Sequence, residues 1–346
     1  AGGPSPTAAL PWPAPSCMLC PMQPTSGDGA PPASTLPETD EPSSSTSPAA
    51  SGPNHPTPGS VPAPTDYDSP KALAAMLESQ GFAMQKRFGQ NFLVAGAARR
   101  RILSLLEAEP GCAAWEVGPG AGAMTWEALN LGWRLSAFEI DHGFARFVRD
   151  GFGEQPGFRL YEGDFVRTWP AAIAEGGRPE RVFGNLPYNA AGAIVAALIE
   201  GAEAPRPPLM VFTVQKEAAQ RMAAKPGTKN YAAFTVLCQS AYQVKLAFDL
   251  PPGVFWPQPR VTSSVVVMRA LTEPLACAGS LDFTRFTRAA FSSRRKTLRN
   301  NLKAAGWADE ALAAAAERSG LGMELRAEAL SPAELAALFD SLPTRL

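Results

Sequence analysis

The chain has 346 residues, more than the roughly 100–200 of one ordinary domain, so two folded modules or one with an appendage are expected. Hydrophobic residues at 45% and charged residues at 18% exclude a wholly disordered chain, and no apolar run reaches the ~18 residues that cross a bilayer. The net charge of −1 hides a split: residues 1–70 hold six acids and no Lys or Arg, so residues 71–346 keep all 31 basic and 26 of the 32 acidic residues, a net of +5.

Residues 1–68 read as a disordered low-complexity tail rich in Pro and Ser. Eighteen of the 35 prolines fall in residues 1–70, too many lost backbone donors and too little apolar surface to offset the entropy of ordering. The tail lacks the basic and apolar regions of a secretory signal and the Arg-rich character of a transit peptide. Five cysteines form no disulfide framework, and the C-x-x-C of Cys17 and Cys20 has no second pair at zinc spacing, so no metal is expected. A reducing cytoplasm fits this cysteine usage.

From Ser69 the pattern changes. Ser69-Pro70 is a helix start, and Ala95–Ala108 reads as a second helix. Strands over Ala113–Val117, Leu135–Phe138, Phe158–Tyr161, Arg181–Phe183 and Leu209–Val214 then alternate with helices over Met124–Leu131, Phe144–Gly151, Ala190–Ile199 and Lys216–Ala224. This alternation predicts a doubly wound α/β, Rossmann-like sheet. Phe234–Leu250 and Val261–Met268 look β-rich with no helix between them, as an antiparallel pair closing one edge. The pattern after about Asp282 is helical. The expected division is a tail over 1–68, an α/β domain over 69–272 and an all-α domain over 273–346.

Four successive strands end in chemistry-bearing residues. The first runs into Gly118-Pro119-Gly120-Ala121-Gly122, a turn through which backbone can approach a ligand closely. Glu139 ends the second strand, where a carboxylate can accept from a ribose diol, and Asp164 ends the third, where it can accept from an adenine amino group. The fourth delivers Asn185-Leu186-Pro187-Tyr188. The Asn185 amide and the Leu186 carbonyl can both accept from an arylamine, localising its lone pair for attack on a sulfonium methyl. Pro187 stiffens the turn, and Tyr188 offers a face for an extruded base.

These residues resemble the ribosomal RNA adenine dimethyltransferases of the KsgA and Dim type. The likeness runs from about Met84 to the end through QKRFGQNFL, EVGPGAGAMT, FEID, GDF, GNLPYN, VQKEAAQRM, VFWPQPRVTSSVV and FSSRRKTLRNNL. It implies a Rossmann-like methyltransferase domain with a helical C-terminal domain, S-adenosylmethionine as donor, and two neighbouring adenines near the 3′ end of small-subunit rRNA as substrate. By motif, Gln90, Asn91 and Leu93 close over the cofactor, Gly118 and Gly120 approach its methionine part, and Glu139 and Asp164 take its ribose and adenine. Asn185, Leu186 and Tyr188 hold the target amine, with Asn185 also beside the cofactor and Phe255 as a second stacking aromatic. Val94-Ala95-Gly96 stands where the family usually places an acid after QNFL.

RNA contacts are expected from Arg295, Arg299 and Lys303, spaced i, i+4, i+8 on a helix, with Arg294 and Lys296 beside them. Arg99–Arg101, Lys86–Arg87, Arg221, Lys225 and Lys229 are further candidates. The resemblance implies a pre-ribosomal particle as partner, with the protein a monomer. Two other readings stand beside it: a large-subunit methyltransferase of the macrolide-resistance type, and an rRNA-binding assembly factor in which catalysis is secondary.

Overall fold

Short apolar segments alternating with helix-forming ones build a layered α/β body, which the computed structural model describes for residues 61, 63–79, 81, 91–201 and 203–343. The chain enters through α1 (Pro70–Ser79), where Ser69 Oγ accepts the Ala72 N–H at 3.2 Å, as its Ser-Pro start predicts. The strand β1 (Phe92–Leu93) and α2 (Gly96–Ser104) follow. Next come β2 (Ala113–Val117), α3 (Ala123–Asn130), β3 (Arg134–Glu139), α4 (His142–Phe152), β4 (Phe158–Glu162) and α5 (Phe165–Gly176). The series continues through β5 (Arg181–Asn185), α6 (Ala191–Ile199), β6 (Leu209–Gln215), α7 (Lys216–Met222) and α8 (Ala233–Ala241). Then come β7 (Tyr242–Leu250), β8 (Phe255–Trp256) and β9 (Ser263–Ala270), followed by α9 (Leu281–Ala290), α10 (Leu298–Ala304), α11 (Asp309–Ser319) and α12 (Pro332–Asp340).

The main sheet has the order β4-β3-β2-β5-β6-β9-β7, parallel from β4 to β6, with β9 antiparallel to both neighbours. The order reverses between β2 and β5, the switch point outside whose carboxyl ends α/β sheets bind ligands. Register brings those ends to one rim: Val117 faces Phe138, Glu139 faces Glu162, and Asn185 faces Thr213. Burial on both faces follows from period two. Val182 and the next residue Phe183 belong to opposite apolar layers, as do Met210 and Val211. A third apolar cluster joins Phe283, Phe286, Leu298, Leu312 and Leu335 of the C-terminal helices to Tyr231 and Val236.

Four expectations change. The antiparallel pair is present as β7 and β9, but the first part of Phe234–Leu250 is the helix α8. Its residues are apolar on nearly every face, a pattern that a buried helix shares with a buried strand. The helix α5 was hidden by Pro170, which sits inside it. Residues 63–68 are not tail: Tyr67 is buried and its hydroxyl donates to the Ala121 carbonyl at 2.9 Å. The helix expected over Ala95–Ala108 stops at Ser104. The low-complexity reading of residues 1–60 and the Cys17–Cys20 pair lie outside the described residues. Among the described residues, no helix is long and apolar enough to cross a membrane.

A buried cation fastens this entry segment. Arg99 is 1% exposed, and its Nε donates to Glu127 Oε1 at 2.8 Å, its Nη2 to Asp68 Oδ1 at 2.6 Å and its Nη1 to the Leu93 carbonyl at 2.9 Å. Arg99 is therefore an internal tie, not an RNA contact, because its guanidinium is itself buried and engaged by Glu127, Asp68 and the Leu93 carbonyl.

Candidate active site

The carboxyl ends of β2, β3 and β5 meet in a cavity of about 240 Å³ at the rim. Its wall is made by Asn91–Val94, the Gly118–Ala121 turn, Glu139 and the Asn185–Ala190 loop, together with Tyr67, Arg99 and Glu116. A larger hollow of about 490 Å³ lies between α2 and α3, towards the amino ends of β2 and β3, but none of the motif residues reaches it.

The glycine turn has φ of +75°, +54° and +83° at Gly118, Gly120 and Gly122, left-handed backbone that other residues rarely adopt. A Cβ on Gly118 would come 3.9 Å from the Asn185 carbonyl oxygen and the Pro187 ring, so the first and fourth motifs face each other directly. Glu139 bridges the turn to the next loop: Oε2 accepts the Gly120 N–H at 3.0 Å and Oε1 the Asp141 N–H at 2.9 Å. Burial pushes this carboxyl up to about 7, held back by those two donors.

Asn185 is oriented rather than merely present. Its Nδ2 donates to the Asn91 carbonyl at 2.7 Å, and a carbonyl can only accept, so the amide oxygen is the end left to accept from a ligand. That contact depends on β1 pairing antiparallel with β8, Phe92 facing Trp256 and Leu93 facing Phe255, which lays Asn91–Leu93 over the rim. The Leu186 N–H donates to the Thr213 carbonyl at 3.0 Å, and the Ala190 and Ala191 N–H groups both close on the Pro187 carbonyl. Tyr188 shares a 2.9 Å hydrogen bond with Ser263 Oγ and is half-buried on the cavity wall.

Other expected site residues sit differently. Asp164 ends β4 on the same rim but does not line the cavity; its Oδ1 accepts the Val166 N–H at 3.0 Å, capping α5. Phe255 is 2% exposed and belongs to the core beneath the rim, because its place in β8 turns it inward against Leu93. The partly exposed aromatics nearby are Phe92 and Trp256, stacked at 6.3 Å. Gln90 lies outside the described residues, as do Lys86 and Arg87.

Glu116 was not singled out from the sequence, although it opens the glycine motif. It is 0% exposed; Thr125 Oγ1 donates to its Oε2 at 2.6 Å, while Oε1, also buried, has no partner among the described residues. Burial and repulsion from Glu139 push its carboxyl up to about 8 against the Thr125 hydrogen bond. The available signal was an acid inside an otherwise wholly apolar strand.

The basic residues expected to meet RNA divide in two. Arg299 pairs with Asp309 at 3.2 Å and Glu324 at 3.3 Å, and Lys303 pairs with Asp309. Arg294 pairs with Glu328 at 2.6 Å. Arg295 lies in a turn before α10, not on it, so the i, i+4, i+8 row does not form. Arg295 and Lys296 are exposed, and among the described residues neither has a carboxylate at ion-pair distance. Arg221 pairs with Glu217, and Arg101 covers the Phe248 ring.

Comparison with known proteins places this geometry. The sequence profile of the family described as ribosomal RNA adenine dimethylase matches residues 81–343. The Ribosomal RNA small subunit methyltransferase A of Treponema denticola is 45% identical over 285 residues, covering 81% of this chain and 94% of the relative. The protein of the same name from Magnetococcus marinus is 36% identical over 280 residues, covering 79% and 97%. Among solved structures, the 23S rRNA methyltransferase ErmE superposes with a TM-score of 0.53 at 23% identity, covering 73% of this chain and 99% of that one. A dimethyladenosine transferase from Plasmodium falciparum gives 0.55 at 19% identity, covering 70% and 94%. These two likenesses speak for the fold.

Proposed function

The chain belongs to the ribosomal RNA adenine dimethylase family, and from that premise we propose that it dimethylates N6 of two adjacent adenosines near the 3′ end of small-subunit rRNA, with S-adenosylmethionine as donor. The small-subunit assignment is supported by relatives at 36–45% identity that carry that name, whereas the likeness to a large-subunit enzyme, at 23%, extends only to the fold.

The cavity fits the donor. Its left-handed glycine turn admits a ligand against backbone, and beside it a buried Glu116 oxygen lacks a partner among the described residues, suited to a cationic ammonium group. Glu139 offers a carboxylate for a ribose diol and Asn91 and Leu93 form the cover, while Asp164, on the same rim but beyond the cavity wall, would take the adenine amino group with the oxygen that does not cap α5. When bound, S-adenosylmethionine supplies a methyl group on a sulfonium centre as the electrophile.

The chain's own part is to make an adenine amine nucleophilic. The single observation that carries this is the Asn185–Asn91 hydrogen bond, which fixes the amide with its oxygen as acceptor. Asn185 Oδ1 and the Leu186 carbonyl accept the two N6 hydrogens, drawing the nitrogen towards tetrahedral geometry so that its lone pair leaves the ring. Pro187 and the closed turn behind it hold both acceptors still, and Tyr188 backs the extruded base. The substrate implied is rRNA within a pre-ribosomal particle in the cytoplasm, met by a monomer.

Methyl transfer from labelled donor to unmethylated small and large ribosomal subunits, offered separately, tests the assignment. Label in small-subunit rRNA is expected; label confined to large-subunit rRNA would replace it with the resistance-type reading.

A further inference from the structure

The donor cavity has a stretch of wall that none of the motifs accounts for. The family's sequence profile matches from residue 81, yet Tyr67 and Leu73, from the segment before it, line the cavity beside Leu93, Glu116 and Ala121. Both are buried. The Tyr67 hydroxyl donates to the Ala121 carbonyl at 2.9 Å and so holds the glycine turn from outside it. A Cβ on Gly122 would come 3.4 Å from that hydroxyl oxygen and 2.6 Å from the Phe152 ring, so the turn runs tightly between the two aromatics. The Trp126 ring lies 6.1 Å from that of Tyr67, and its Nε1 donates to the Val61 carbonyl at 2.7 Å. Asn130 Oδ1 accepts the Val61 N–H at 2.9 Å. The entry segment is thus fastened along α3, the helix that follows the glycine turn.

The next residue reaches the cover. Asp66 Oδ1 accepts the Asp68 N–H at 3.0 Å, a local turn that sends consecutive side chains to different places. Tyr67 goes to the glycine turn and Asp68 to Arg99, whose Nη1 donates to the Leu93 carbonyl in the strand laid over the rim. Room for Asp68 exists because residue 96 is glycine: a Cβ there would stand 2.7 Å from both Asp68 carboxylate oxygens. Val94-Ala95-Gly96 carries no acid of its own, and the entry segment brings one to that place.

We propose that residues 66–73 are a working part of the donor site. Tyr67 is a positioning residue for the glycine turn, and Asp68, acting through Arg99, is one for the Leu93 cover. The inference rests on the S-adenosylmethionine reading above. Three glycines give the turn no side chains with which to hold itself, so the Tyr67 hydrogen bond supplies the restraint. Wall and cover ordered before the donor arrives cost it less on binding. The coupling is reciprocal, so bound donor must in return order the entry segment.

Calorimetric titration of the full chain with S-adenosylmethionine tests this. Tyr67→Phe keeps the ring and removes only the hydroxyl, and should weaken donor binding by roughly twofold to tenfold, the range of one neutral hydrogen bond. Asp68→Asn and Gly96→Ala should each weaken it by about twofold to fivefold, as suits an ion pair with one exposed partner. The double variant D68N/G96A should do no worse than either single one, because both break the same contact. In steady state the effect should fall on the KM for S-adenosylmethionine and not on the KM for RNA. In the wild-type protein, which needs no substitution, bound donor should slow amide hydrogen exchange over 66–73. A segment that only props the fold would lower the melting temperature of the variants but leave donor affinity and donor-dependent exchange untouched. That outcome overturns the proposal, and additive losses in D68N/G96A overturn the part given to Asp68. A wild-type protein that binds no S-adenosylmethionine would instead remove the reading on which the inference rests.

Discussion

The rim and the C-terminal helices treat acidic side chains in opposite ways. At the rim, Glu116 and Glu139 are buried and, among the described residues, neither is ion-paired; they depend on hydroxyl and N–H donors, and burial raises both carboxyls. Among the helices, Asp309, Glu324 and Glu328 each face Arg or Lys, and those partners hold the Asp309 carboxyl below its ordinary value. A compensated charge is finished within the fold and serves its geometry. A buried charge left uncompensated is costly to the free protein, and the cost is recovered when a complementary ligand arrives.

The contrast can be broken first at Arg99, the compensated cation on the cavity wall. Arg99→Met leaves Glu127 buried without its partner and should destabilise the fold by about 3 kcal/mol at pH 8. The loss should shrink in acid, because burial already raises the Glu127 carboxyl and protonation removes the stranded charge. Urea titrations at pH 8 and pH 5 measure both. Next in size, Asn185→Ala should slow methyl transfer on the order of 100-fold or more while donor affinity changes little, because only a contact to the reacting amine is lost. Single-turnover rates beside calorimetry separate the two. Glu139→Ala should weaken donor binding by roughly 1.5–3 kcal/mol, the range for a hydrogen bond to a charged group, and calorimetry with unchanged affinity would take Glu139 out of the site.

Glu116 sharpens the comparison through pH. Its folded carboxyl is pushed up to about 8 from an ordinary 4.5, so between those values the folded state holds a proton that the unfolded chain has released. Stability should therefore fall as pH rises from about 4.5 to about 8 and level off above it. Glu116→Gln should flatten that decline and be the more stable protein at pH 8.5, as denaturation midpoints across the window would reveal. The smallest effect belongs to R299Q/K303Q: these half-exposed pairs should leave the melting temperature nearly unchanged and the methylation rate intact.

The rim was legible because its parts are local. A glycine turn, an acid or an amide at a strand end needs only the strand to be right, and parallel register then brings Gly118, Glu139 and Asn185 together. What was not legible depends on partners far along the chain. The pairing of Arg299 with Asp309 and Glu324, or of Arg294 with carbonyls some 65 residues away, leaves no trace in helix spacing. Phe255 illustrates the same limit: alternation along a two-residue strand decides which neighbour faces the core, and β1 settles it through pairing with β8. The helix α8 was misread because uniform burial erases periodicity.

The most direct measurement is to map N6,N6-dimethyladenosine in small-subunit rRNA after incubating unmethylated subunits with S-adenosylmethionine and either the wild-type chain or Asn185→Ala. Two adjacent modified adenosines near the 3′ end with the wild type, and their near absence with Asn185→Ala at unaltered donor affinity, are predicted. Equal modification by both proteins would contradict the assignment of Asn185 to the reacting amine, and with it the account of how this rim makes that amine reactive.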